Sequence, residues 1–325
     1  MSKYKVCVYA ICKNEDKFID RWYNSMKEAD DIVVLDTGSS DNSVKLLKKY
    51  NISIYQKIIT PWRFDVARNI SMSYIPRDTD ICVCTHLDEV FTPGWRDALE
   101  EVWNPDTTRC MYIYNWKLDS NNMPLISFYY QKIHSLNNFK WINPVHEILK
   151  YKGLESTVFS NKIILNHYPD TSKSRSSYLP LLELSIKEDK KNDRNMHYLG
   201  REYMYYKEYK KAIKTLKRHL RLKLSTWKDE RCASMRFICR CYFFLGRYDL
   251  ASKWFKKAIF EAPYLRDSYM KYAFFKYYTG KYKDSINLCL KALEVNNNQM
   301  TYINELFSNN LTIYDLLSIC LFYCG

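Results

Sequence analysis

Short apolar runs alternate with amphipathic stretches along the first half of the chain. Residues 32–35 are apolar, lead directly into the polar turn 36–41, and are followed by an amphipathic stretch. A run of this length predicts a strand covered on both faces, which is typical of parallel sheets. Strands are predicted at residues 5–11, 32–35, 52–58, 81–85, 111–116, 126–133 and 163–166, and helices at 16–27, 43–50, 64–74 and 95–102. The alternation predicts an α/β domain with a mostly parallel central sheet.

From about residue 172 the pattern changes to pairs of helices. Gly246-Arg247-Tyr248 and Gly280-Lys281-Tyr282 lie 34 residues apart, and each tyrosine is followed three positions later by a small residue, Ala251 or Ser285. Residues 206–212 form a third copy without the glycine. This period is typical of tetratricopeptide repeats, with an unrelated helical bundle as the alternative. We therefore predict an α/β domain at residues 1–171 and an all-α repeat domain at 172–325, with an incomplete last repeat.

Composition narrows the possible partners. The formal net charge is +14, but the lysines fall mainly on predicted helix faces and no nucleic-acid-binding motif accompanies them. We therefore expect no nucleic-acid partner, although a basic chain would favour an anionic nucleotide. The first apolar run is too short to span a membrane. The eleven cysteines lack zinc-ligand spacing, which indicates reduced thiols in a cytoplasmic protein.

Acidic residues and a histidine follow three of the predicted strands. Asp36 lies where open α/β sheets bind ligands and suits a ribose or a base edge, unless it only caps the turn. Asp88 and Glu89, in His86-Leu87-Asp88-Glu89, offer oxygen ligands for Mg²⁺ or Mn²⁺, and His167 offers a nitrogen ligand. The alternatives are a loop that initiates a helix and a hydrogen-bonded core histidine.

Two further polar patches are candidates for chemistry. Arg68, near the start of a predicted helix, suits a phosphate, and Asp65 suits a base or ribose or is an ordinary first-turn acid. Trp141 offers a flat face to a sugar, and Glu147 is a candidate general base. The alternatives are that Trp141 belongs to the core and that Glu147 orients His146 or pairs with a nearby lysine.

The order of these motifs resembles that of the bacterial family 2 glycosyltransferases. The resemblance rests on 11–15 (Ile-Cys-Lys-Asn-Glu), 34–41 (Val-Leu-Asp-Thr-Gly-Ser-Ser-Asp), 64–69 (Phe-Asp-Val-Ala-Arg-Asn), 87–89 (Leu-Asp-Glu), 145–147 (Val-His-Glu) and His167. With its helical repeats the chain is similar to the subgroup that includes the peptide S- and O-glycosyltransferases of bacteriocin systems. The resemblance implies a GT-A fold, a nucleotide-sugar donor such as UDP-glucose, a Mn²⁺ or Mg²⁺ ion and inversion at the anomeric carbon.

The resemblance also implies roles for individual residues. The nucleotide sugar would be bound by Asn14, Glu15, Asp36, Asp65, Arg68 and His86, with Asp36 at the uridine. Asp88, the second acid of the DxD motif, and His167 would bind the metal, and Glu147 would be the catalytic base. His86 departs from the motif because it replaces the first acid.

The repeat domain is expected to present a protein or peptide acceptor or to form a homodimer. The alternatives are the same chemistry on a cell-surface glycan, and a catalytically silent scaffold.

Overall fold

The computed structural model describes residues 3–50, 52–172, 175–296, 300–308 and 310–325. The chain forms two compact units, Met1–Ser174 and Arg175–Gly325, called unit 1 and unit 2 below. Among the described residues, no helix combines the length and apolar character needed to cross a bilayer. All eleven cysteines are free thiols, and only Cys324 is exposed.

Unit 1 contains an eight-stranded sheet and a separate two-stranded one. The strands are β1 (Val6–Cys12), β2 (Asp31–Asp36), β3 (Ser53–Gln56), β4 (Ile81–Thr85), β5 (Glu89–Phe91), β6 (Arg109–Leu118), β7 (Pro124–Ser135), β8 (Phe139–Ile142), β9 (Ile148–Tyr151) and β10 (Thr157–His167). The helices are α1 (Asp16–Met26), α2 (Ser43–Lys49), α3 (Phe64–Ser73) and α4 (Trp95–Val102). The large sheet has the order β3-β2-β1-β4-β7-β6-β10-β5, and β8 pairs with β9.

Strand direction brings four strand ends to one edge of this sheet. β1 runs parallel to β2 and β4, while β7 is antiparallel to both β4 and β6. β10 runs parallel to β6, so the carboxyl ends of β1, β2, β4 and β10 lie at the same edge. The prediction of a mostly parallel α/β sheet is confirmed. The short strand β5 and the β8–β9 hairpin were not predicted, because runs of three or four residues carry little periodic signal.

Large aromatic side chains fill the core on both faces of the sheet. On one face, the fully buried Trp22 donates a hydrogen bond from Nε1 to Thr85 Oγ1 at 3.0 Å. On the other, Trp141 is only 2% exposed and donates from Nε1 to the Tyr9 hydroxyl at 3.0 Å. The structure therefore places Trp141 in the core, and the interpretation of this ring as a sugar platform is wrong. Its position on β8 buries the ring, and that four-residue strand carries too little periodic signal to be predicted.

Unit 2 consists of helices that pack in consecutive pairs. They are α5 (Tyr178–Glu188), α6 (Asp193–Tyr205), α7 (Tyr209–His219), α8 (Lys228–Phe244), α9 (Tyr248–Glu261), α10 (Arg266–Tyr278), α11 (Tyr282–Glu294) and α12 (Thr312–Phe322). Each helix contacts the next, and α6, α8, α10 and α12 also contact one another in series. These four helices therefore form one layer, as the first helices of stacked repeats do.

The turn between the two helices of a pair has the same left-handed backbone in all three copies, which explains the sequence pattern. Gly246 and Gly280 adopt left-handed backbone, with φ of +68° and +70°. Ala251 and Ser285, the small residues that follow, are completely buried where the second helix of each pair packs. Lys207 occupies the glycine position of the third copy and keeps the same conformation, with φ of +62°. The prediction of tetratricopeptide-like repeats is confirmed, including the copy that lacks glycine.

Replacing Lys207 with glycine is expected to stabilise unit 2. A residue with a Cβ in left-handed backbone costs about 1–2 kcal/mol, partly offset by the greater freedom of glycine in the unfolded chain. The exposed Lys207 side chain has no described contact to lose. A rise of roughly 0.5–1 kcal/mol in the free energy of unfolding is expected. Urea unfolding measures this change, and a decrease would contradict the strain argument.

Two buried histidines make both units sensitive to acid. In unit 1, His134 Nε2 accepts a hydrogen bond from Tyr9 at 2.8 Å, and in unit 2, His197 Nδ1 contacts Ser234 Oγ at 2.7 Å. Burial lowers the pKa of each imidazole to about 3. The pKa of a histidine in the unfolded chain is about 6.5, so below that pH the unfolded chain binds protons that the folded chain excludes. The folded state therefore keeps its full stability above this pH, where both histidines are neutral, and loses stability as the pH falls towards 3.

We expect each histidine to lower the free energy of unfolding by about 1.4 kcal/mol for every pH unit below about 6.5. Urea unfolding at about pH 7.5 and pH 5.5 measures the effect. His134→Gln should reduce the pH dependence of the unit 1 transition and leave that of unit 2 unchanged. If the unit 1 transition has the same pH dependence in the wild type and in His134→Gln, then His134 is not the source of the acid sensitivity.

Candidate active site

The loops that follow β1 and β2 are joined by hydrogen bonds. The backbone amide of Asn14 donates to Ser39 Oγ at 2.9 Å, and the side-chain oxygen Oδ1 of Asn14 accepts from the backbone amide of Ser40 at 2.8 Å. The Glu15 amide donates to Ser43 Oγ at 2.8 Å. The structure therefore brings Asn14 and Glu15 beside the turn that begins at Asp36, as expected for strand ends at one sheet edge.

Asp36 is completely buried and holds the turn that follows it. Its carboxylate accepts from the backbone amides of Gly38 and Ser39 at 3.1 and 3.2 Å. Gly38 has φ of +105°, a conformation that side chains rarely adopt, so glycine permits this tight return of the chain. The uridine contact implied for Asp36 stays a prediction, and the structure adds a role for its carboxylate in shaping the loop.

Asp65 and Arg68 on α3, which are expected contacts of the nucleotide sugar, have partners within the chain. Asp65 pairs with Arg63 through contacts of 3.0 and 2.9 Å and is nearly buried. Arg68 is completely buried and donates to the Thr85 carbonyl at the end of β4, at 3.2 Å. Burial alone opposes its charge, but Cys84 and Glu147 raise the pKa of Arg68 above its ordinary value. Arg68 is therefore a permanent cation at this strand end.

Glu147 is held against this cation. Its Oε1 lies 3.1 Å from Arg68 Nε, and its side chain is 10% exposed. The start of α3 fixes the preceding loop, because the Phe64 amide donates to the Pro144 carbonyl at 3.0 Å. Asn143 and His146 in the same loop have φ of +79° and +49°. Such backbone conformations cost about 1–3 kcal/mol each and cluster at functional sites. The surrounding structure thus orients the Glu147 carboxylate.

His86 lies between two buried cations. Its Nε2 is 2.6 Å from Arg68 and 3.0 Å from Lys132 Nζ. Lys132, on β7, is 6% exposed, and despite burial the nearby Tyr130 and Glu89 raise its pKa above the ordinary value. Sequence reasoning missed Lys132. The available signal was a lysine at the buried positions of a strand, two residues after Tyr130 and two before His134.

Asp88 and His167 form a second pair at this edge. Asp88 Oδ2 lies 3.3 Å from His167 Nε2, and the Asp88 carbonyl accepts from the Tyr168 amide at 2.8 Å. His167 Nδ1 is 3.1 Å from the Trp116 carbonyl. A proton on Nδ1 leaves Nε2 as the nitrogen that faces the carboxylate, the usual arrangement of a metal-binding histidine.

This pair fits a divalent cation. One carboxylate oxygen and one imidazole nitrogen are suitable ligands for Mn²⁺. Glu89, by contrast, is buried and accepts from the Tyr114 hydroxyl and the His86 amide, so its role is to hold the loop. Across the residues that the structure describes, no cluster of three His, Cys, Asp or Glu side chains forms a metal site. The Asp88 carboxylate and the His167 imidazole therefore supply two of the ligands that such a cation would need.

Residues 7–159 match the family model described as glycosyl transferase family 2. Unit 1 carries a glycosyltransferase family 2 domain. The match includes Asn14, Asp36, Arg68, Asp88 and Glu147, whereas His167 lies beyond it. The glycosyltransferase domain thus accounts for the sheet and for most of its carboxyl edge.

Solved structures show weaker likenesses. A crystal structure of the MamA protein is 16% identical, with a TM-score of 0.36 over 46% of this chain and 73% of MamA. A second MamA crystal structure is 16% identical, with a TM-score of 0.37 over 49% of this chain and 86% of that one. The APC/C hetero-tetramer Cut9-Hcn1 is 16% identical, with a TM-score of 0.36 over 44% of this chain and 26% of the matched chain.

The glycosyltransferase domain groups the predicted site residues into three sets. The first set is Asn14, Glu15 and Asp36; the second is Arg68, His86 and Glu147, joined by Lys132; the third is Asp88 and His167. Asp65 lies one turn before Arg68 on α3. The arrangement combines a loop that suits a nucleotide, a carboxylate positioned by a buried arginine, and a pair of potential metal ligands.

Proposed function

We propose that this chain is an inverting glycosyltransferase that moves a hexose from a nucleotide sugar such as UDP-glucose to a side chain of a protein or peptide. The observation that carries the proposal is the placement of Glu147 and of the Asp88–His167 pair at one edge of a family 2 sheet. Direct displacement needs these two functions at one centre: a base for the acceptor and stabilisation of the departing diphosphate.

Asp88 and His167 would hold a Mn²⁺ or Mg²⁺ ion. When bound, the ion supplies positive charge that stabilises negative charge on a diphosphate. The chain contributes the orientation of both ligands. The Trp116 carbonyl fixes the imidazole, and the Tyr168 amide fixes the backbone of Asp88.

Glu147 is the proposed base. Its carboxylate removes the proton from the acceptor's thiol or hydroxyl, whose electron pair forms the new bond to the anomeric carbon. The bond from that carbon to the diphosphate oxygen breaks, and its electron pair leaves with the nucleotide. Arg68 keeps the carboxylate in place from a completely buried position. A single displacement of this kind inverts the anomeric configuration.

The nucleotide would lie on the loops after β1 and β2. Asn14 is exposed on the first loop, and the serine-rich turn after Asp36 faces it. Asn14, Glu15, Asp36 and Asp65 are the proposed contacts for uridine and ribose, with His86 nearer the diphosphate because it precedes Asp88 by two residues.

Glu147→Gln tests the base. The amide keeps the shape of the carboxylate but does not accept a proton, so we expect transfer to fall on the order of a hundredfold or more. The variant should still bind UDP with Mn²⁺, and the rise in its melting temperature on adding both measures this binding. Mass spectrometry of a panel of peptide and glycan acceptors incubated with nucleotide sugars measures transfer. Undiminished transfer by this variant would place the base elsewhere, and products on glycans alone would overturn the peptide acceptor.

A further inference from the structure

Residues 300–308, between α11 and α12, lie against the first-helix layer of unit 2. We call them the internal segment. Each of its residues is partly or fully buried, although connecting segments usually run exposed over the surface. The segment turns at Thr301–Asn304 and ends in a 3₁₀ turn at Leu306–Ser308. Its partners come from α6, α8 and α10, so it crosses three successive repeats.

Tyr302 provides the first anchor. Its hydroxyl donates to Glu230 on α8, and its ring lies 5.4 Å from that of Trp227. The guanidinium of Arg194 on α6 lies 5.1 Å from the ring centroid. The nearby His219 and His197 help to lower the pKa of Glu230 to about 2, against the opposing effect of burial, so the acceptor is a charged carboxylate. A tyrosine is therefore held both by its ring and by its hydroxyl.

The backbone of the internal segment is held by side chains of the helices. Arg236 on α8 donates to the Ile303 carbonyl at 3.1 Å. The Glu305 amide donates to Asp267 Oδ1 on α10 at 2.6 Å. Hydrogen bonds of this kind to the main chain fix the register of a bound peptide without reading its sequence.

Glu305 and Phe307 provide the second and third anchors. Lys271 Nζ on α10 lies 3.3 Å from the Glu305 carboxylate and 4.4 Å from the centre of the Phe307 ring. Arg236 Nε is 3.9 Å from the same carboxylate. The Phe307 ring also packs edge-on against Phe274, with ring centroids 5.4 Å apart. One lysine thus recognises a carboxylate and an aromatic ring two residues later.

The surface beneath the internal segment is built from charges. Glu230, Arg236, Asp267 and Lys271 all face it, and the first three are at most 5% exposed. A surface that stays buried between packed segments is usually apolar. Complementary charges, by contrast, are typical of binding surfaces, where they provide specificity. Apolar residues of the same helices, such as Cys239 and Met270, pack within the helical core instead.

We propose that this face of α6, α8 and α10 is a peptide-binding groove, and that the internal segment occupies it as an exchangeable ligand of the same chain. The partner is a peptide segment with a tyrosine, a carboxylate three residues later and an aromatic residue two further on. Such a peptide competes with the internal segment for the groove. Peptide capture here is independent of the chemistry at Asp88 and Glu147.

A labelled peptide with the sequence of residues 300–308 tests the groove on the full-length chain. In the wild type the tethered segment competes at an effective concentration on the order of millimolar, so binding should be weak. Tyr302→Ala with Phe307→Ala removes two anchors of the competitor, and fluorescence anisotropy should show binding at least about tenfold tighter. Equal affinity in the two proteins would overturn the proposal.

Charge exchange separates recognition from nonspecific attraction. In the double-substituted chain, Lys271→Glu should weaken the peptide about tenfold, and a peptide with lysine in place of Glu305 should regain affinity. Lys253→Glu, on the exposed side of α9, is the matched control and should change neither result. Equal loss from both substitutions would refute a groove on this face. If circular dichroism shows that the double-substituted chain is unfolded, Phe307→Ala alone weakens the internal segment without changing its charges and permits the same comparison.

Discussion

Replacing Asp88 with asparagine is expected to reduce sugar transfer on the order of a hundredfold to a thousandfold. The substitution preserves the size of the side chain but removes the negative charge next to His167 Nε2. The amide is a weak ligand for a divalent cation, so thermal stabilisation by UDP with Mn²⁺ should be lost together with turnover. Initial rates of UDP release with a saturating acceptor measure the effect.

The fold itself should tolerate this substitution. The Asp88 side chain is 23% exposed, and its backbone carbonyl still accepts from the Tyr168 amide. Asp106→Asn, in an exposed turn of the same unit, is the matched control and should leave the rate unchanged. If Asp88→Asn also leaves the rate unchanged, the cation site lies elsewhere and the proposed roles of Asp88 and His167 are wrong.

Arg68→Met is expected to lower the free energy of unfolding of unit 1 by about 3–5 kcal/mol. Methionine fills similar space but leaves Glu147 without its cation and removes the donors to the Thr85 carbonyl. Arg68 is completely buried, so water does not replace these contacts. Urea unfolding followed by tryptophan fluorescence measures the loss, and transfer should fall with it because the base is no longer oriented.

Arg63→Met, at the residue that precedes the same helix, is the matched control. The Arg63–Asp65 pair is partly exposed, with 24% of the arginine side chain accessible, so its loss should cost less than about 1 kcal/mol. Equal destabilisation by the two substitutions would show that burial does not distinguish these arginines. Arg68→Lys keeps the charge but loses the planar fork, and should lie between the wild type and Arg68→Met.

The Asp88–His167 pair shows how far the sequence could lead. Both residues follow apolar strands, and parallel strands place their carboxyl ends at one edge, so their neighbourhood was predictable. Their direct contact depends on β5, a three-residue strand that runs antiparallel to β10 and places Glu89 opposite His167. A strand this short leaves no periodic signature, so only the fold revealed the pairing.

Lys132 and Trp141 show the opposite case. Each residue type has an ordinary interpretation, since lysines are mostly solvated and a tryptophan next to polar residues suits a ligand. Both residues are buried instead: Lys132 joins Arg68 at His86, and Trp141 fills the core, which was the alternative interpretation of this ring. Burial depends on which strand packs against which helix, and that information is spread over residues far apart in sequence.

The sequence by itself determined the two classes of architecture, the helix-pair period and the residues at the strand ends. These features are local, because strand and helix periods and turn glycines act over a few neighbouring residues. Only the tertiary structure decided that Glu147 rests on Arg68, that two cations hold His86, and that the internal segment crosses the helices of unit 2. Charges interact through space, and their partners are set by strand register and helix packing.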